Sequence, residues 1–445
     1  MKRLMALVGT LAIIAVQFAP CEGTSEAKGA AGQVTIKYVL WDANQLPAYQ
    51  KVAENFTAKN PGIKIEISQL GWNDYWAGLQ TDMVGGNAPD VFTNHLAKYP
   101  DFASKGQLID LAPYVKKDGV DLSVYMPGLA GLWATKDGKR FGLPKDWDTI
   151  AIVYNADMLK EAGLTVTEAN VLTWNAKDGG SFEKFIAVLS VDKNGKNGLD
   201  PAFDPKNVVR YGIALNHNDD RGQGQFSPLA VSTGWMYTDG LYDANYHFDD
   251  PRFIETIDWM VRVTKKGFMA PYELTANDAN PLFTAKQAAT TFDGSWMIGY
   301  YSGSSPFPVG YAKLPVGPVG RKSMTNGLAD SIWKGTKHPD EAWRWVKYLS
   351  SVEAETTVGT FGVVFPAVEA GVKEALAAFG AKKINVNAFT EEATAKGETF
   401  VYPVVDNGVK IGDIMRQSFD AIFLGKVTAD AGLKDANKKI LALFK

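Results

Sequence analysis

The residues of this chain best suited to chemistry are tryptophans that stand beside an acid or an amide. An indole ring packs flat on an apolar face and has few rotatable bonds, whereas Asp and Asn form hydrogen bonds in defined directions. Together they suit a ligand with C–H faces and hydroxyl edges, such as a sugar. Four segments carry this combination: Trp41-Asp42, Trp72-Asn73-Asp74, Asp146-Trp147-Asp148 and Asp293-Gly294-Ser295-Trp296.

Signatures of catalysis and of cofactor binding do not occur in the sequence. There is no Walker phosphate loop, complete dinucleotide glycine fingerprint, His-Glu-x-x-His or Gly-x-Ser-x-Gly. The adjacent acids Asp219-Asp220 and Asp249-Asp250 do not predict a glycosidase pair that flanks one bond. We therefore expect a protein without a reaction centre, a cofactor or a metal. The histidines are scattered: His95, His217, His247 and His338.

The composition is that of a folded, slightly acidic protein. The 445 residues suffice for two or three domains, and 46% hydrophobic with 21% charged residues is usual for a globular chain. With 46 Lys and Arg against 49 Asp and Glu, the net charge is −3, and no basic run exceeds two residues. Such a chain lacks the basic surface that binds nucleic acid or an acidic membrane, so we expect neither partner.

The first residues have the pattern of an export signal. Lys2 and Arg3 precede the apolar run 4–16, which is too short to span a bilayer but long enough for the core of a signal peptide. We therefore expect residues 1–33 to form a signal peptide and a flexible linker. The expected location is the periplasm or the outer face of the cytoplasmic membrane.

The single cysteine, Cys21, follows this apolar core. A lone cysteine forms no internal disulfide, and the segment Phe18-Ala19-Pro20-Cys21 resembles the start of a bacterial lipoprotein, in which the cysteine carries the lipid. Pro20 stands where a small residue is usual, so cleavage near Ala30 and release of an unanchored chain is the alternative. Cys21 is the candidate lipid-attachment site, and this lipid is the only membrane contact that we expect.

Hydrophobic spacing predicts strands that alternate with helices in the first third of the folded chain. The predicted elements, in order, are a strand over 34–38, a helix through Ala48, Val52 and Phe56, a strand over 63–67, a helix over 73–84 and a strand over 90–92. This order is typical of an α/β fold with a largely parallel sheet.

The remaining chain continues the α/β pattern. A strand is predicted over 149–154, and the segment 192–205, rich in Asp, Asn, Gly and Pro, predicts a surface loop. Further helices are predicted around 251–266, 338–350 and 411–424. No internal repeat is visible, so we expect no solenoid or propeller.

Several segments, in order along the chain, resemble landmarks of one family, the extracellular solute-binding proteins of carbohydrate ABC importers (family 1, maltodextrin-binding-protein-like). Each segment alone is short, but together they extend from the first predicted strands towards the C-terminal part of the chain. They are Asn60-Pro61-Gly62-Ile63-Lys64-Ile65, Asn87-Ala88-Pro89-Asp90-Val91-Phe92, Phe141-Gly142-Leu143-Pro144, Glu161-Ala162-Gly163-Leu164 and Lys337-His338-Pro339-Asp340-Glu341-Ala342-Trp343.

The resemblance implies a two-lobed periplasmic-binding-protein fold with three inter-lobe crossings and a central ligand cleft. Lobe one would comprise residues 34–145 and 316–358, and lobe two residues 146–315 and 359–445. The implied protein is a monomer that closes on a carbohydrate without altering it. It would then deliver this ligand to the transmembrane subunits of an ABC permease.

The candidate ligand contacts lie where predicted strands end, because ligands of doubly wound sheets lie beyond the carboxyl ends of the strands. The resemblance adds residues from the first crossing, from lobe two and from the returning segment of lobe one. The predicted ligand-binding residues are Trp41, Asp42, Trp72, Asp90, Asn94, His95, Asp146, Trp147, Trp235, Trp296 and Asn326.

Three alternatives stay open from the sequence. The same fold could bind a non-sugar solute such as a polyol phosphate, a uronate, a peptide or a metal, with Arg140 or Arg221 supplying charge to an anion. A carbohydrate-processing enzyme would need two carboxylates about 5–10 Å apart across the cleft. An adhesin or a partner of a sensor would use the cleft without transport.

Overall fold

A computed structural model describes residues 32–217 and 221–445 of the chain. Over these residues the chain forms fourteen strands, most of them short. They are β1 (Val34–Leu40), β2 (Ile63–Gln69), β3 (Val91–Asn94), β4 (Leu143–Pro144), β5 (Asp146–Trp147), β6 (Ile150–Asn155), β7 (Val191–Asp192), β8 (Val208–Ile213), β9 (Ala288–Gly294), β10 (Val309–Ala312), β11 (Ser323–Thr325), β12 (Ala329–Ile332), β13 (Phe365–Pro366) and β14 (Thr399–Val401).

Helices separate most of these strands. They are α1 (Leu46–Lys59), α2 (Trp72–Gly85), α3 (Tyr99–Ser104), α4 (Ala112–Asp118), α5 (Leu129–Leu132), α6 (Ala156–Glu161), α7 (Val166–Ala169), α8 (Gly180–Leu189), α9 (Ser227–Val231), α10 (Pro251–Lys265), α11 (Tyr272–Thr275), α12 (Asn280–Thr284), α13 (Ile298–Ser304), α14 (Pro339–Leu349), α15 (Val352–Gly359), α16 (Glu369–Ala381), α17 (Asn387–Thr394), α18 (Gly408–Phe423) and α19 (Ala429–Ala442). Two 3₁₀ turns lie at Leu122–Val124 and Ser295–Met297.

Two five-stranded sheets organise the chain. The first has the order β2-β1-β3-β12-β4, with β1 parallel to β2 and β3 and with β12 antiparallel to both of its neighbours. The second has the order β10-β6-β9-β8-β7, and only β8 and β9 run parallel in it. The expected largely parallel arrangement is therefore wrong for the second sheet. Strand spacing locates a strand but carries no information about its partner's direction.

The predicted elements correspond closely to the observed ones. The helix predicted over 73–84 is α2, the strand predicted over 149–154 is β6, and the helix predicted over 411–424 is α18. The loop predicted over 192–205 is organised by Asp192, whose carboxylate accepts backbone N–H groups of Asn194, Lys196 and Asp204. Short polar side chains that bond the backbone favour such turns over regular structure.

Large aromatic side chains fill the core beside the first sheet. The ring of Trp345 lies 5.7 Å from that of Tyr38 and 5.2 Å from that of Phe56, both in edge contact. Trp259 and Trp343, also on helices, are buried as well. Such close packing fixes the position of the strands, and with them the loops that follow the strand ends.

Three chain segments lie side by side between the two sheets. The segment 143–148 leaves β4 of the first sheet and enters β6 of the second, and β5 within it pairs with β13. Its backbone also exchanges hydrogen bonds with Asn326 and Leu328. Backbone bonds therefore join the segments 143–148, 326–328 and 365–367 into one strip. The lobe boundaries at 34–145 with 316–358, and at 146–315 with 359–445, stay predictions.

A buried ammonium anchors this strip to the first sheet. Lys145 Nζ donates hydrogen bonds to Tyr38 Oη (3.1 Å) and Thr93 Oγ1 (3.0 Å), and it lies 3.6 Å from Asp330 Oδ1. It also lies 3.9 Å from the centre of the Tyr49 ring. The side chains of Lys145 and Asp330 are only 1% and 2% exposed. A buried charge persists only where it is paired and hydrogen-bonded, and this one has both kinds of partner.

We expect Lys145→Met to destabilise the fold strongly. The substitution keeps the stem but leaves the carboxylate of Asp330 buried without its cation, which typically costs about 3–5 kcal/mol. Lys139→Met is the matched control, because its ion pair with Asp137 is exposed to water. Urea unfolding should show a lower midpoint for Lys145→Met and no resolvable change for Lys139→Met. Equal shifts for the two variants would contradict the anchoring role.

Candidate functional site

A cavity of about 550 Å³ lies where the loops of the first and second sheets meet the strip between them. This volume is in the range of sites for small organic molecules. Its walls come from the chain after β1, from the start of α2, from the chain after β9 and from the start of α18. Eight of the eleven predicted contacts line it: Trp41, Asp42, Trp72, His95, Asp146, Trp147, Trp296 and Asn326.

One side of the cavity is an aromatic wall formed by Trp41, Trp72, His95 and Tyr402. Trp41 contacts Trp72 at 5.1 Å and 89°, and the ring of Tyr402 lies 5.1 Å from that of His95 at 87°. Trp76, one helical turn after Trp72, packs behind both indoles at 5.4 Å. The edge-on contacts hold the rings in fixed orientations, while Trp72 keeps 42% of its surface exposed. The wall thus presents rigid apolar faces to the cavity.

Two more tryptophans, Trp147 and Trp296, line the cavity. Trp147 stacks on Phe365 with ring centres 4.8 Å apart and planes 17° from parallel, which joins two of the three segments of the strip. Trp296 lies in the 3₁₀ turn that follows β9 and is half-buried. Trp147 is the last residue of the two-residue strand β5, and Trp296 follows the carboxyl end of β9, where ligands of α/β sheets lie.

Asp42 has both carboxylate oxygens engaged in the turn after β1. Oδ1 accepts the backbone N–H of Asn44 at 2.8 Å, and Oδ2 accepts the Nε2–H of Gln45 at 2.9 Å. Burial raises the pKa of this carboxyl, while the two hydrogen bonds oppose the rise. Asp42 thus holds the turn that follows Trp41. Its carboxylate lines the cavity with both oxygens already hydrogen-bonded.

The base of the cavity, here called the crossing floor, is formed by Asp146, Trp147, Asp148 and Asn326. Asp146 Oδ1 accepts the backbone N–H of Leu328 at 3.1 Å. Within the described part of the chain, Asp146 Oδ2 and Trp147 Nε1 are buried and have no hydrogen-bond partner. Burial raises the pKa of Asp146 to about 6, although the nearby ammonium of Lys145 opposes this. Buried polar atoms of this kind are costly unless something pairs with them.

Asp148 is a second buried carboxyl on the floor. It accepts the Nε2–H of Gln223 at 2.7 Å and the backbone N–H of Asn326 at 3.3 Å. Burial raises its pKa well above the usual value, and the charge of Asp146 adds to the rise. A protonated Asp148 can donate a hydrogen bond as well as accept one.

His95 connects the aromatic wall to the crossing floor. Its Nδ1 accepts the backbone N–H of Ala97 at 3.0 Å, and its Nε2 lies 2.9 Å from the side-chain amide of Asn326. The far end of that amide is buried without a partner in the described residues. Burial lowers the pKa of His95 to about 3, so the imidazole is neutral at pH 7.

The other three predicted contacts, Asp90, Asn94 and Trp235, lie outside this cavity. Asp90 precedes β3, so it lies at the opposite end of that strand, where it accepts the backbone N–H of Lys37 at 2.9 Å and the hydroxyl hydrogen of Thr336. The sequence analysis predicted Asp90 as the first residue of a strand over 90–92, and the observed strand begins one residue later.

Asn94 and Trp235 are core residues. Asn94 is fully buried in β3 and donates to Ser331 Oγ at 3.0 Å. Trp235 is likewise fully buried, stacks on Phe253 at 4.4 Å and donates its Nε1–H to the carbonyl oxygen of His247 at 2.7 Å. A tryptophan in a loop region gives no sequence signal that separates a core position from a cavity wall.

The cavity also contains residues that the strand-end argument missed. Gln223 and Arg221 come from the irregular chain before α9, and Tyr402 follows β14. Arg221 Nη2 donates to the carbonyl oxygen of Gly408 at 2.5 Å. Asp293, near the end of β9, was recognisable from its place beside Trp296, and its Oδ2 accepts the hydroxyl hydrogen of Tyr301 at 2.6 Å. Arg140, the other candidate for an anion, does not line the cavity and donates to the carbonyl oxygen of Ala130.

In residues 32–217 and 221–445, no group of three His, Cys, Asp or Glu side chains could hold a metal ion. The same ranges contain no helix with the length and apolarity to cross a bilayer. Cys21 and the acid pair Asp219-Asp220 lie outside the described residues.

Two α/β sheets with a solute-sized, aromatic-lined cavity between them define a protein that binds a small molecule between two lobes. The chain belongs to the family of bacterial extracellular solute-binding proteins, which matches residues 42–356. The family expected from the short sequence landmarks is thereby confirmed, and so is the two-lobed fold.

Named relatives cover most of the chain. It is 30% identical over 346 residues to the lactose-binding protein of Rhizobium radiobacter, which covers 73% of this chain and 71% of that protein. It is 24% identical over 371 residues to the multiple sugar-binding protein of Streptococcus mutans serotype c, covering 79% of each. The solved ABC substrate-binding protein of Listeria monocytogenes in complex with cycloalternan matches the fold with a TM-score of 0.78 at 22% identity, over 93% of this chain and 99% of that one.

We expect Asp146→Asn to stabilise the protein in a pH-dependent manner. The pKa of Asp146 is about 6 in the folded chain and about 4 in an unfolded chain. The folded state therefore binds more protons between these values, and stability falls as the pH rises from about 4 to about 7. The uncharged Asn avoids this loss, which amounts to about 3 kcal/mol at pH 8.

Urea unfolding at pH 4 and pH 8 measures this effect. The gain from Asp146→Asn should be large at pH 8 and small at pH 4, where the carboxyl is largely protonated in both states. Asp435→Asn, at a site that is 60% exposed, is the control and should show no such difference. A gain of equal size at both pH values would contradict the buried carboxyl as its cause.

Proposed function

We propose that this protein is the substrate-binding component of an ABC importer and that it captures a sugar or an oligosaccharide between its two lobes. The observation that carries the proposal is the pairing of rigid indole faces with a polar floor in one cavity. Sugars present C–H faces to aromatic rings and hydroxyl groups to carboxylates and amides. The names of the relatives support the same class, since they specify lactose, multiple sugars and cycloalternan for those proteins.

Ligand contacts from separated parts of the chain give the mechanism of capture. Trp41 and Trp72 come from the first sheet's loops, Trp296 follows a strand of the second sheet, and Asp146 lies on the strip between them. A ligand that touches all of them interacts fully only when the lobes are closed, so it stabilises the closed form by that difference. The closed form would then be the one that docks on the transmembrane permease subunits.

The proposed protein returns its ligand unchanged. A glycosidase would need one free carboxylate as nucleophile or base and a second as acid. Asp42 has both oxygens bonded within its own turn, and Asp293 accepts hydrogen bonds from Tyr301 and from the backbone of Gly294. These bonds support a binding role for Asp42 and Asp293.

A non-sugar solute with a negative charge is the second candidate. Lys98, Arg221 and Arg416 all line the cavity and favour such a ligand. Several acids line the same cavity, among them Asp146 and Asp148 on its floor. An anion would therefore have to bind away from the crossing floor.

The N-terminal residues suggest that the protein is exported and attached to the membrane by a lipid. The basic start and apolar run of residues 1–16 support export, and Cys21 supports a lipid anchor on the outer face of the cytoplasmic membrane. We expect the mature protein to be a monomer, as the resemblance to its family implies. Mass spectrometry of the mature N-terminus distinguishes an acylated Cys21 from cleavage near Ala30.

We expect the purified protein to bind a neutral carbohydrate saturably. Tryptophan fluorescence and calorimetry should be recorded with mono-, di- and oligosaccharides, and with a uronate, a sugar phosphate and a peptide for comparison. A dissociation constant of about 1 µM would correspond to about −8 kcal/mol. Chromatography of a labelled oligosaccharide after incubation should recover it intact. Binding of only the charged or peptide ligands would contradict the sugar proposal, and a hydrolysis product would contradict the purely binding role.

Trp72→Ala tests the aromatic wall in the same assay. Loss of its stacking face should weaken carbohydrate binding about tenfold or more, which corresponds to about 1.4 kcal/mol. Leu70→Ala is the matched control, because Leu70 is similarly exposed, lies two residues away and does not line the cavity. Its affinity should be that of the unchanged protein. An equal affinity of both variants would exclude Trp72 as a ligand contact.

A further inference from the structure

The hydrogen bonds of His95 define which of its nitrogens carries the proton. The backbone N–H of Ala97 can only donate, so Nδ1 of His95 must present its lone pair to it. The imidazole is neutral at pH 7, because burial lowers its pKa to about 3. The proton therefore lies on Nε2, and Nε2–H is a donor.

The proton on Nε2 sets the orientation of the Asn326 amide. The near end of this amide lies 2.9 Å from Nε2. If that end were Nδ2, two N–H groups would face each other, whereas Oδ1 accepts the Nε2–H. The far end of the amide, which is buried and accepts no hydrogen bond from the described residues, is then Nδ2 with its two donors.

A donor and an acceptor thus lie together on the crossing floor. Asn326 and Asp146 both line the cavity, and they belong to neighbouring segments, because Leu328 donates its backbone N–H to Asp146 and Lys145 donates its own to Leu328. Asp146 is 4% exposed and Asn326 is 2% exposed. Asp146 Oδ2 has no hydrogen-bond partner in the described chain, and the far end of the Asn326 amide accepts no hydrogen bond there. Hydroxyl groups of a ligand can donate to Asp146 and accept from Asn326.

We propose that His95 is a positioning residue, not a ligand contact, and that it turns the Asn326 amide so that Nδ2 and Asp146 Oδ2 together select an uncharged, hydroxyl-bearing group at the crossing floor. This inference rests on the proposed function and specifies which group of the ligand lies at the crossing floor. Charge supports it. Asp146, Asp148 and Glu355 are all buried at or beside the floor. Among the buried cations, Lys145 is engaged by Asp330, and Arg221, which lines the same cavity, donates to the carbonyl oxygen of Gly408. A phosphate or carboxylate at the floor would therefore lie beside several buried acids.

The orientation is tested without any ligand. Long-range ¹H–¹⁵N spectra of ¹⁵N-labelled protein report the tautomer of each histidine, and His95→Gln identifies the signals of His95. We expect a neutral imidazole with its proton on Nε2 from pH 8 down to pH 5. A proton on Nδ1, or a charged ring at pH 6, would overturn the proposal even if a sugar binds.

The selection is tested with the best neutral sugar from the panel and with the same sugar oxidised to its uronate. His95→Gln keeps a side-chain N–H donor and should weaken binding of the neutral sugar about threefold at most, whereas His95→Met, of similar length without a donor, should weaken it about tenfold or more. If His95 had only a structural role, both variants would bind the neutral sugar equally weakly. That result would overturn the positioning role.

Asn326→Asp separates the donor from the acceptor. An Asp at this position can still accept the Nε2–H of His95 but offers no donor to the ligand. We expect about tenfold weaker binding of the neutral sugar with an unchanged His95 tautomer. The unchanged protein should bind the uronate at least about tenfold more weakly than the neutral sugar. Equal or tighter uronate binding would overturn the selection. If no sugar of the panel binds, the proposed function fails, while the tautomer still decides the orientation.

Discussion

The buried ammonium of Lys145 is the constraint on which the rest of this structure depends. A charge taken out of water must be paired and hydrogen-bonded, so Asp330, Tyr38 and Thr93 have to surround it in one arrangement. The residues that follow Lys145 in sequence, Asp146 to Asp148, are thereby held at the base of the cavity. One electrostatic requirement in the core therefore sets the position of the polar groups that face a ligand.

The polar groups of the crossing floor lower the stability of the folded chain, and the same groups are the ones proposed to recognise a ligand. Carboxyls at Asp146 and Asp148 are buried, and burial raises the pKa of both, which means that their charged forms are costly in the folded chain. Buried polar atoms without partners cost further free energy. A ligand hydroxyl at the proposed site would relieve this cost, and a ligand without one would not. The aromatic wall carries no such cost. Its edge-packed rings are already held in fixed orientations, so they lose little conformational freedom when a ligand binds.

Strand-end reasoning predicted much of the cavity from the sequence, and its errors have identifiable causes. Trp41, Asp42 and Trp72 were found because each follows an alternating strand, and the ends of neighbouring parallel strands meet at one edge. Asp90 lies outside the cavity because it precedes its strand, and Trp235 lies outside because it is buried in the core, a position that its irregular sequence context does not indicate. Gln223, Arg221 and Tyr402 lie in irregular or short elements, where no periodicity marks them.

The sequence by itself determined the α/β class, the position of most helices and strands, the family, and the types of residue that line the cavity. These follow from local spacing and from residue chemistry, which are properties of short segments. Only the tertiary structure decided the antiparallel pairings of the second sheet, the burial of Trp235 and the meeting of His95 with Asn326 across 231 positions of the chain. Such contacts depend on how distant segments pack together, and a local pattern does not specify its distant partner.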